Sequence, residues 1–288
     1  MPSPDVLLKA VGCGLLIPVA VTFFVLLLGL RSRAGASLAV FDGLAAGFVA
    51  LAATEQITAD FLRPTESWDW LPALALLACV AGLLNPNGKL AFVLCWAVRL
   101  TVAGLVAWVL TRAQSGRESE PLCGYCQAAF AGAILVLWAT LDLALAAPRR
   151  PGGVVPALVA VVALAAAALA ELGGFMTLSL MAAVVPGALA GWALVAWLRP
   201  DPDISRAGAP ALAVLLPGVL FVSYFNNYGN VPVASYLLLL AAPLCLGAVA
   251  LLPFSAIGRW AILYRAAAAL VPAGVALALA ALAGEQPS

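Results

Sequence analysis

Arg99 is the residue of this chain whose position most needs a chemical explanation. It follows Lys89 by ten residues in an apolar stretch, which at helical rise puts it about 15 Å deep. An ionisable group at that depth in a membrane is costly and is by default a functional hypothesis. Asp42 and Asp142 lie in other apolar stretches and can supply a counter-charge. The pattern predicts either a buried ion pair that fixes helix register or a substrate or proton site.

Glu171 is the fourth ionisable residue that we place on a possible substrate or ion pathway. It stands beside Gly173 and Gly174 at the end of an apolar stretch. We favour a role as a helix cap in the headgroup region, with a carboxylate that exchanges protons as the alternative. Asn226 to Asn230 predict a turn, because Asn and Gly accept left-handed backbone conformations, with a substrate-recognising loop as the alternative.

Cys123-Gly-Tyr-Cys126 is the one motif with named chemistry. A helix N-terminus lowers a thiol pKa, and the two-residue spacing permits a reversible disulfide. A lone pair of this kind also fits a structural or incidental role, which we favour, and metal binding is the remaining alternative. The other cysteines are predicted to pack within apolar segments; they are Cys13, Cys79, Cys95 and Cys245.

Histidine is absent, and this excludes much familiar chemistry. Haem-bearing helix bundles, most zinc sites and histidine general bases need imidazole, so we expect no metal and no cofactor. Only 9% of the 288 residues are charged and 65% are hydrophobic, so lipid must cover most of the surface. The net charge of +1 makes nucleic acid an unsuitable partner.

The apolar stretches that carry these residues predict an all-α, polytopic membrane helix bundle. A helix needs about 20 apolar residues to cross the hydrocarbon core. On that measure the chain is one integral membrane domain, 1–288, with about ten spans. They are 5–30, 35–55, 68–85, 89–111, 124–147, 153–172, 175–198, 208–227, 232–254 and 259–283. The first is interpreted as a true span, with a cleaved signal as the alternative.

The orientation follows from the basic residues of the connecting loops. Cytoplasmic loops carry an excess of Lys and Arg. The loops are numbered from the N-terminus, so that loop 1 joins the first two spans. The even-numbered loops carry Arg63, Arg112 and Arg117. Odd-numbered loops carry more; these are Arg31, Arg33, Lys89, Arg149, Arg150, Arg199, Arg206 and Arg259. This predicts odd loops in the cytoplasm and both termini outside a bacterial-type inner membrane.

The two ends of the chain resemble each other. Ser32-Arg-Ala-Gly-Ala36 recurs as Ser205-Arg-Ala-Gly-Ala209, and several shorter matches occur at similar offsets. The match predicts parallel four-helix repeats, 5–111 with 175–283, linked by two helices in 124–172, a 4+2+4 arrangement with an axis along the membrane normal. Chance similarity of Ala- and Leu-rich helices is the alternative.

Two faces of small residues predict close helix packing. Gly43 and Gly47 share one face of a span, and Gly187 and Gly191 share one face of another. Such faces let helix backbones approach closely in lipid. We favour packing inside the bundle over dimerisation.

Three functional hypotheses follow. The first is a transporter of a small solute or ion, without nucleotide hydrolysis of its own, since the chain has no phosphate-binding glycine loop. The second is an accessory or structural membrane subunit of a larger complex, with other membrane subunits as partners. The third is a membrane thiol-disulfide oxidoreductase that uses Cys123 and Cys126. The substrate is not identified by the sequence.

Overall fold

The computed structural model describes residues 10–28, 33–54, 64, 66–84, 89–115, 124–146, 153–198, 208–251 and 258–284. These residues form ten α-helices and no strand. The first, α1, begins as a π-helix at Ala10–Leu16 and continues as Ile17–Leu27. The others are α2 Arg33–Ala53, α3 Trp70–Ala81, α4 Lys89–Ser115, α5 Gly124–Ala146, α6 Val154–Leu172, α7 Met176–Leu198, α8 Ala209–Phe225, α9 Val233–Leu251 and α10 Gly258–Gly284. The all-α fold class is confirmed.

Seven of these helices are long and apolar enough to cross a membrane, namely α2, α4, α5, α6, α7, α9 and α10. This is the architecture of a multi-pass membrane protein. The helices α1, α3 and α8 are apolar but shorter. A span over 68–85 is too long for α3, because a 3₁₀ turn at Ser67–Asp69 precedes it and it ends at Gly82. The four-span repeat stays a prediction.

Helices alternate in direction along the chain, as contacts at their ends demonstrate. Trp68, which precedes α3, packs edge-on against Phe175 between α6 and α7, with ring centres 4.7 Å apart. At the opposite end, a side chain added at Gly82 after α3 would meet Pro210 at the start of α8. We call these the Gly173 end, after the α6–α7 turn, and the Gly82 end.

A tight hairpin joins α6 and α7. Gly174 has a φ of 80°, which a residue without Cβ adopts freely. The Phe175 N–H donates to Ala170 C=O and the Gly174 N–H to Glu171 C=O, the bonding pattern of a Schellman motif. These bonds provide partners for carbonyl groups that would otherwise have no hydrogen bond at the end of α6. The turn therefore allows two long helices to pack antiparallel along their length.

Both small-residue faces pack against α1, inside the bundle. A Cβ added at Gly187 would lie 2.7 Å from the Leu15 carbonyl oxygen, and one at Gly191 would lie 2.5 Å from the Val19 carbonyl. From α2, a Cβ at Gly47 would lie 2.5 Å from Pro18 Cγ. Side chains at these positions would push the helices apart. The preference for packing within the bundle over dimerisation is thus supported by where these faces lie.

The helix α8 lies at the centre. Every residue from Ala209 to Leu220 is buried, and α8 packs on α3, α5 and α6 among others. A short helix is tolerated here because its neighbours, rather than lipid, surround it. The helices α4 and α5 pack on each other at the edge of this core. They carry Arg99 and Asp142.

Candidate functional site

The residues Arg99 of α4 and Asp142 of α5 form an ion pair within the apolar bundle. Arg99 Nη2 donates to Asp142 Oδ2 over 2.5 Å. The side chains are 6% and 19% exposed, so the guanidinium is shielded more than the carboxylate. Of the two partners that the sequence offered for Arg99, the structure selects Asp142.

The directions of the two helices explain how residues at different depths meet. Arg99 lies ten residues from the start of α4, whereas Asp142 lies four residues from the end of α5. These positions are about 15 Å and about 6 Å from the Gly82 end. Helical side chains lean towards the N-terminus of their own helix. Since α4 begins at the Gly82 end and α5 at the Gly173 end, the two side chains lean towards each other.

Two tryptophans enclose the guanidinium. Its Cζ lies 5.1 Å from the ring centre of Trp96 and 5.1 Å from that of Trp138. Each indole belongs to the same helix as one member of the ion pair, at a spacing of three residues on α4 and four on α5, so each lies about one turn away. A cation over a desolvated aromatic face gains about 2 kcal/mol. We call these four residues, Trp96, Arg99, Trp138 and Asp142, the Arg99 cluster.

The Arg99 cluster is incompletely hydrogen-bonded. Within the described residues, Asp142 Oδ1 and Trp138 Nε1 are buried and have no partner. A guanidinium has five N–H donors, and the bond to Asp142 is the one hydrogen bond that Arg99 makes there. An unpaired buried polar group costs about 1–3 kcal/mol, so most buried polar groups are paired. The described residues contain three more unpaired buried atoms, the hydroxyls of Thr22, Ser37 and Ser235, and none of these belongs to an ion pair. The cluster thus offers several donors and one acceptor at a single place.

The other two predicted pathway acids lie elsewhere. Asp42 is exposed on the outer face of α2, and no hydrogen bond or ion pair joins it to the described part of the chain. Glu171 is exposed at the last turn of α6, at the Gly173 end. The structure therefore brings together Arg99 and Asp142 and leaves both of these acids apart from them.

The cysteine motif is described only in part. Cys126 is exposed in the first turn of α5, while Cys123 lies outside the described residues. The distance between the two thiols, which a redox or metal role requires, is therefore untested, and both roles stay predictions.

The predicted turn between α8 and α9 is present and closed by its own amides. Asn226 Nδ2 donates to the Val222 carbonyl, and the Asn227 side chain exchanges two hydrogen bonds with the Val231 backbone, at 2.7 and 3.0 Å. Asn230 has a φ of 55°. The backbone N–H groups of Tyr228 and Gly229 donate to the Gly173 carbonyl, which ties this turn to the α6–α7 hairpin.

Two cavities of ligand size open between the helices. One, of about 330 Å³, lies among α5, α8 and α9, and Phe130, Phe221, Tyr224 and Tyr236 contribute aromatic rings to it. The other, of about 430 Å³, is an apolar cleft among α1, α6 and α7. Neither Arg99 nor Asp142 lines either of them.

The two indoles of the Arg99 cluster were missed by sequence reasoning. The signal was present, because Trp96 precedes Arg99 by three residues and Trp138 precedes Asp142 by four. Residues at those spacings share a helix face. A search for aromatic residues one turn from each intramembrane charge would have found both.

Comparisons with protein-family models, curated proteins and solved structures give no match to this chain. The functional inference therefore depends on the fold and on the Arg99 cluster.

Proposed function

We propose that this protein is a transporter of a small solute or ion, and that the Arg99 cluster is its intramembrane binding site. The observation that carries the proposal is that two buried polar atoms of the Arg99 cluster have no hydrogen-bond partner among the described residues. These atoms are Asp142 Oδ1 and Trp138 Nε1. An ion pair that served only to fix helix register would stabilise the fold most if its remaining donors and acceptors were hydrogen-bonded within the protein. Here they are left available to a ligand.

The proposal includes a place and an orientation. The protein lies in a bacterial-type inner membrane, with the Gly82 end in the cytoplasm and both termini outside. The bias of Lys and Arg towards the odd loops supports this orientation. Arg99 is then reached from the cytoplasmic half of the bilayer, since the Arg99 cluster lies nearer the Gly82 end. The driving force is an ion gradient or a partner protein, since the sequence has no nucleotide-binding loop of its own.

The experiment is a flux assay on reconstituted protein. Proteoliposomes loaded with a pH-sensitive dye are challenged with a panel of amino acids, small carboxylates, sugars and organic cations. Wild-type protein is expected to give flux with at least one class, and Arg99→Gln is expected to abolish it. The matched control is Arg112→Gln, which removes an exposed arginine over Trp108 near the end of the same helix.

The transport proposal is abandoned if no solute produces flux with folded wild-type protein. The site assignment fails separately if folded Arg99→Gln transports as well as wild type. Monodisperse elution in detergent and an unchanged thermal transition establish that each variant is folded.

A second candidate function, a subunit of a larger membrane complex, is favoured by the position of Asp42. This carboxylate is exposed nine residues into α2, about 14 Å from its start. Ionisable residues in spans almost always face the bundle interior or a water-filled cavity. An outward-facing carboxylate at that depth fits a helix surface that another polypeptide covers.

The second candidate is tested by mass measurement. Protein extracted in mild detergent is expected to run as a complex with another subunit or another copy, and Asp42→Leu is expected to dissociate it. The nearby Val49→Ala, also on the exposed side of α2, is the control. A wild-type protein that always runs at its monomer mass contradicts this candidate.

A further inference from the structure

The charge balance of the Arg99 cluster limits what it can bind. Arg99 and Asp142 together are neutral, so an additional anion would introduce an uncompensated charge into an apolar surrounding. That penalty is several kcal/mol for an unpaired buried ion. The penalty disappears if the carboxyl takes up a proton when the anion arrives, because the guanidinium then pairs with the anion instead.

Asp142 is the group positioned to take up that proton. Its helix packs on α4, α6, α8 and α9. Among the described residues of those helices, Arg99 is the one charged residue that forms an ion pair with Asp142. Of the other titratable groups of those helices, Arg112, Glu171, Tyr224 and Tyr236 lie at the Gly173 end and Cys245 is exposed on α9. Cys95 is buried one turn of α4 before Arg99 and is uncharged as a thiol. Uptake of one proton would leave the Arg99 guanidinium positive and without a counter-charge.

The donors that remain fit a planar, singly charged oxyanion. A guanidinium presents N–H groups in a fork that matches the two oxygens of a carboxylate. Trp138 Nε1, which is buried without a partner among the described residues, offers one more donor on a ring whose centre lies 5.1 Å from Arg99 Cζ. A dianion would leave one charge uncompensated, since the cluster holds a single arginine. The two indole rings lie over the guanidinium, which restricts the ligand to a small one.

We propose that the Arg99 cluster binds a small monocarboxylate together with one proton, and that Arg99 pairs alternately with Asp142 and with the ligand. This inference rests on the proposed transport function and names its substrate class. In the bound state the proton is on the Asp142 carboxyl, the ligand carboxylate accepts from Arg99 and from Trp138 Nε1, and the net charge is unchanged. Release reverses both steps, so each carboxylate moves with one proton and without net charge transfer.

The test measures binding of pyruvate to the full-length protein in detergent. Pyruvate stays ionised at neutral pH, so any proton taken up on binding goes to the protein. Titration calorimetry in two buffers of different ionisation enthalpy is expected to show about one proton bound per pyruvate. Affinity is expected to fall about tenfold per unit rise in pH where Asp142 is ionised in the free protein, because the proton must then be taken from solution.

Three variants and one control variant separate the parts of the inference. Asp142→Asn, which imitates the protonated carboxyl, is expected to bind pyruvate with no proton uptake and no pH dependence. Trp138→Phe removes one N–H and is expected to weaken binding roughly tenfold. Arg99→Gln is expected to abolish binding, whereas Arg112→Gln is expected to bind as wild type does.

Two outcomes overturn the inference. Pyruvate binding that is absent from wild type, or that has the same pH dependence in Asp142→Asn, refutes the carboxylate and proton assignment. If the flux assay then still finds another solute class whose transport needs Arg99, the proposed function stands and only the substrate class is wrong. Absence of flux with every solute removes the proposed function itself. Should Arg99→Gln fail to fold, the Asp142→Asn and Trp138→Phe results still decide the matter.

Discussion

The burial of Arg99 is the basis of the chemistry proposed for this protein. Arg99 is held by one carboxylate and two indole faces, each supplied by a residue on α4 or α5. None of these contacts is strong enough alone to offset the transfer of a guanidinium from water into an apolar surrounding. Together they fix its position, while several of its N–H groups are left available within the described structure. The residue is therefore anchored while it keeps N–H donors that the described residues leave unpaired.

The ion pair predicts a characteristic stability pattern. Removing one partner leaves a buried charge, which typically costs about 3–5 kcal/mol, whereas removing both together is close to neutral. We expect Asp142→Leu to destabilise the protein strongly and the double variant Asp142→Leu with Arg99→Met to recover most of the loss. Thermal unfolding in detergent, followed by a thiol-reactive dye or by fluorescence, measures both.

The matched control for this pattern is Asp42→Leu, because Asp42 is an exposed acid in a span without a partner in the described residues. We expect it to be neutral or stabilising in purified protein. Equal losses in the single and double variants of the Arg99–Asp142 pair would mean that the two charges do not depend on each other.

At the scale of elements, the bundle is built from helices that approach closely at glycines. The helix α1 lies against one small-residue face of α2 and one of α7, so its carbonyl groups nearly touch both helices. In lipid there is no hydrophobic drive between helices, and packing contacts of this kind replace it. The Schellman turn at Gly174 and the hydrogen bonds to the Gly173 carbonyl then hold α6 to α7 and join that hairpin to the α8–α9 turn.

A methyl group at one of these contacts is expected to destabilise the bundle. In Gly187→Ala the new Cβ would lie 2.7 Å from the Leu15 carbonyl oxygen, a backbone atom that cannot move independently. Overpacking of this kind costs about 1–3 kcal/mol. The control is Gly104→Ala on α4, where no atom lies within 4 Å of the new Cβ.

At Gly104 the higher helix propensity of alanine is expected to leave stability unchanged or raise it by up to about 1 kcal/mol. The two variants are compared by thermal unfolding under the same conditions. A Gly187→Ala protein as stable as Gly104→Ala would show that α1 does not pack against α7 in the manner described.

At the scale of the whole molecule, the structure of single segments could be predicted from the sequence, whereas the choice of neighbouring helices could not. The all-helical fold and the packing of the glycine faces follow from residue spacing within single segments, whereas seven of the ten predicted spans correspond to helices long enough to cross a membrane. The partner of Arg99 stayed open between Asp42 and Asp142, because the order of helices in a sequence does not fix which ones are neighbours. The central position of α8 could not be predicted either, since an apolar helix has the same sequence pattern whether protein or lipid surrounds it.

The orientation of the whole bundle gives the last prediction. Tyr228 is exposed in the α8–α9 turn at the Gly173 end, and Leu28 is exposed just after α1 at the Gly82 end. In a cysteine-free background, we expect Tyr228→Cys to react with a membrane-impermeant maleimide on intact cells. Leu28→Cys is expected to react only after the membrane is opened, because the basic odd loops are predicted to be cytoplasmic.

A reversed labelling pattern would place the termini inside and would make the Arg99 cluster accessible from the outer half of the bilayer. Labelling of both positions on intact cells would contradict the alternation of helix directions itself, since the two residues lie at opposite ends of the bundle. The orientation decides which side of the membrane the Arg99 cluster is nearer to. The direction of net transport is set by the gradients instead, because a carboxylate that moves with one proton is accumulated on the less acidic side whichever way the protein is oriented.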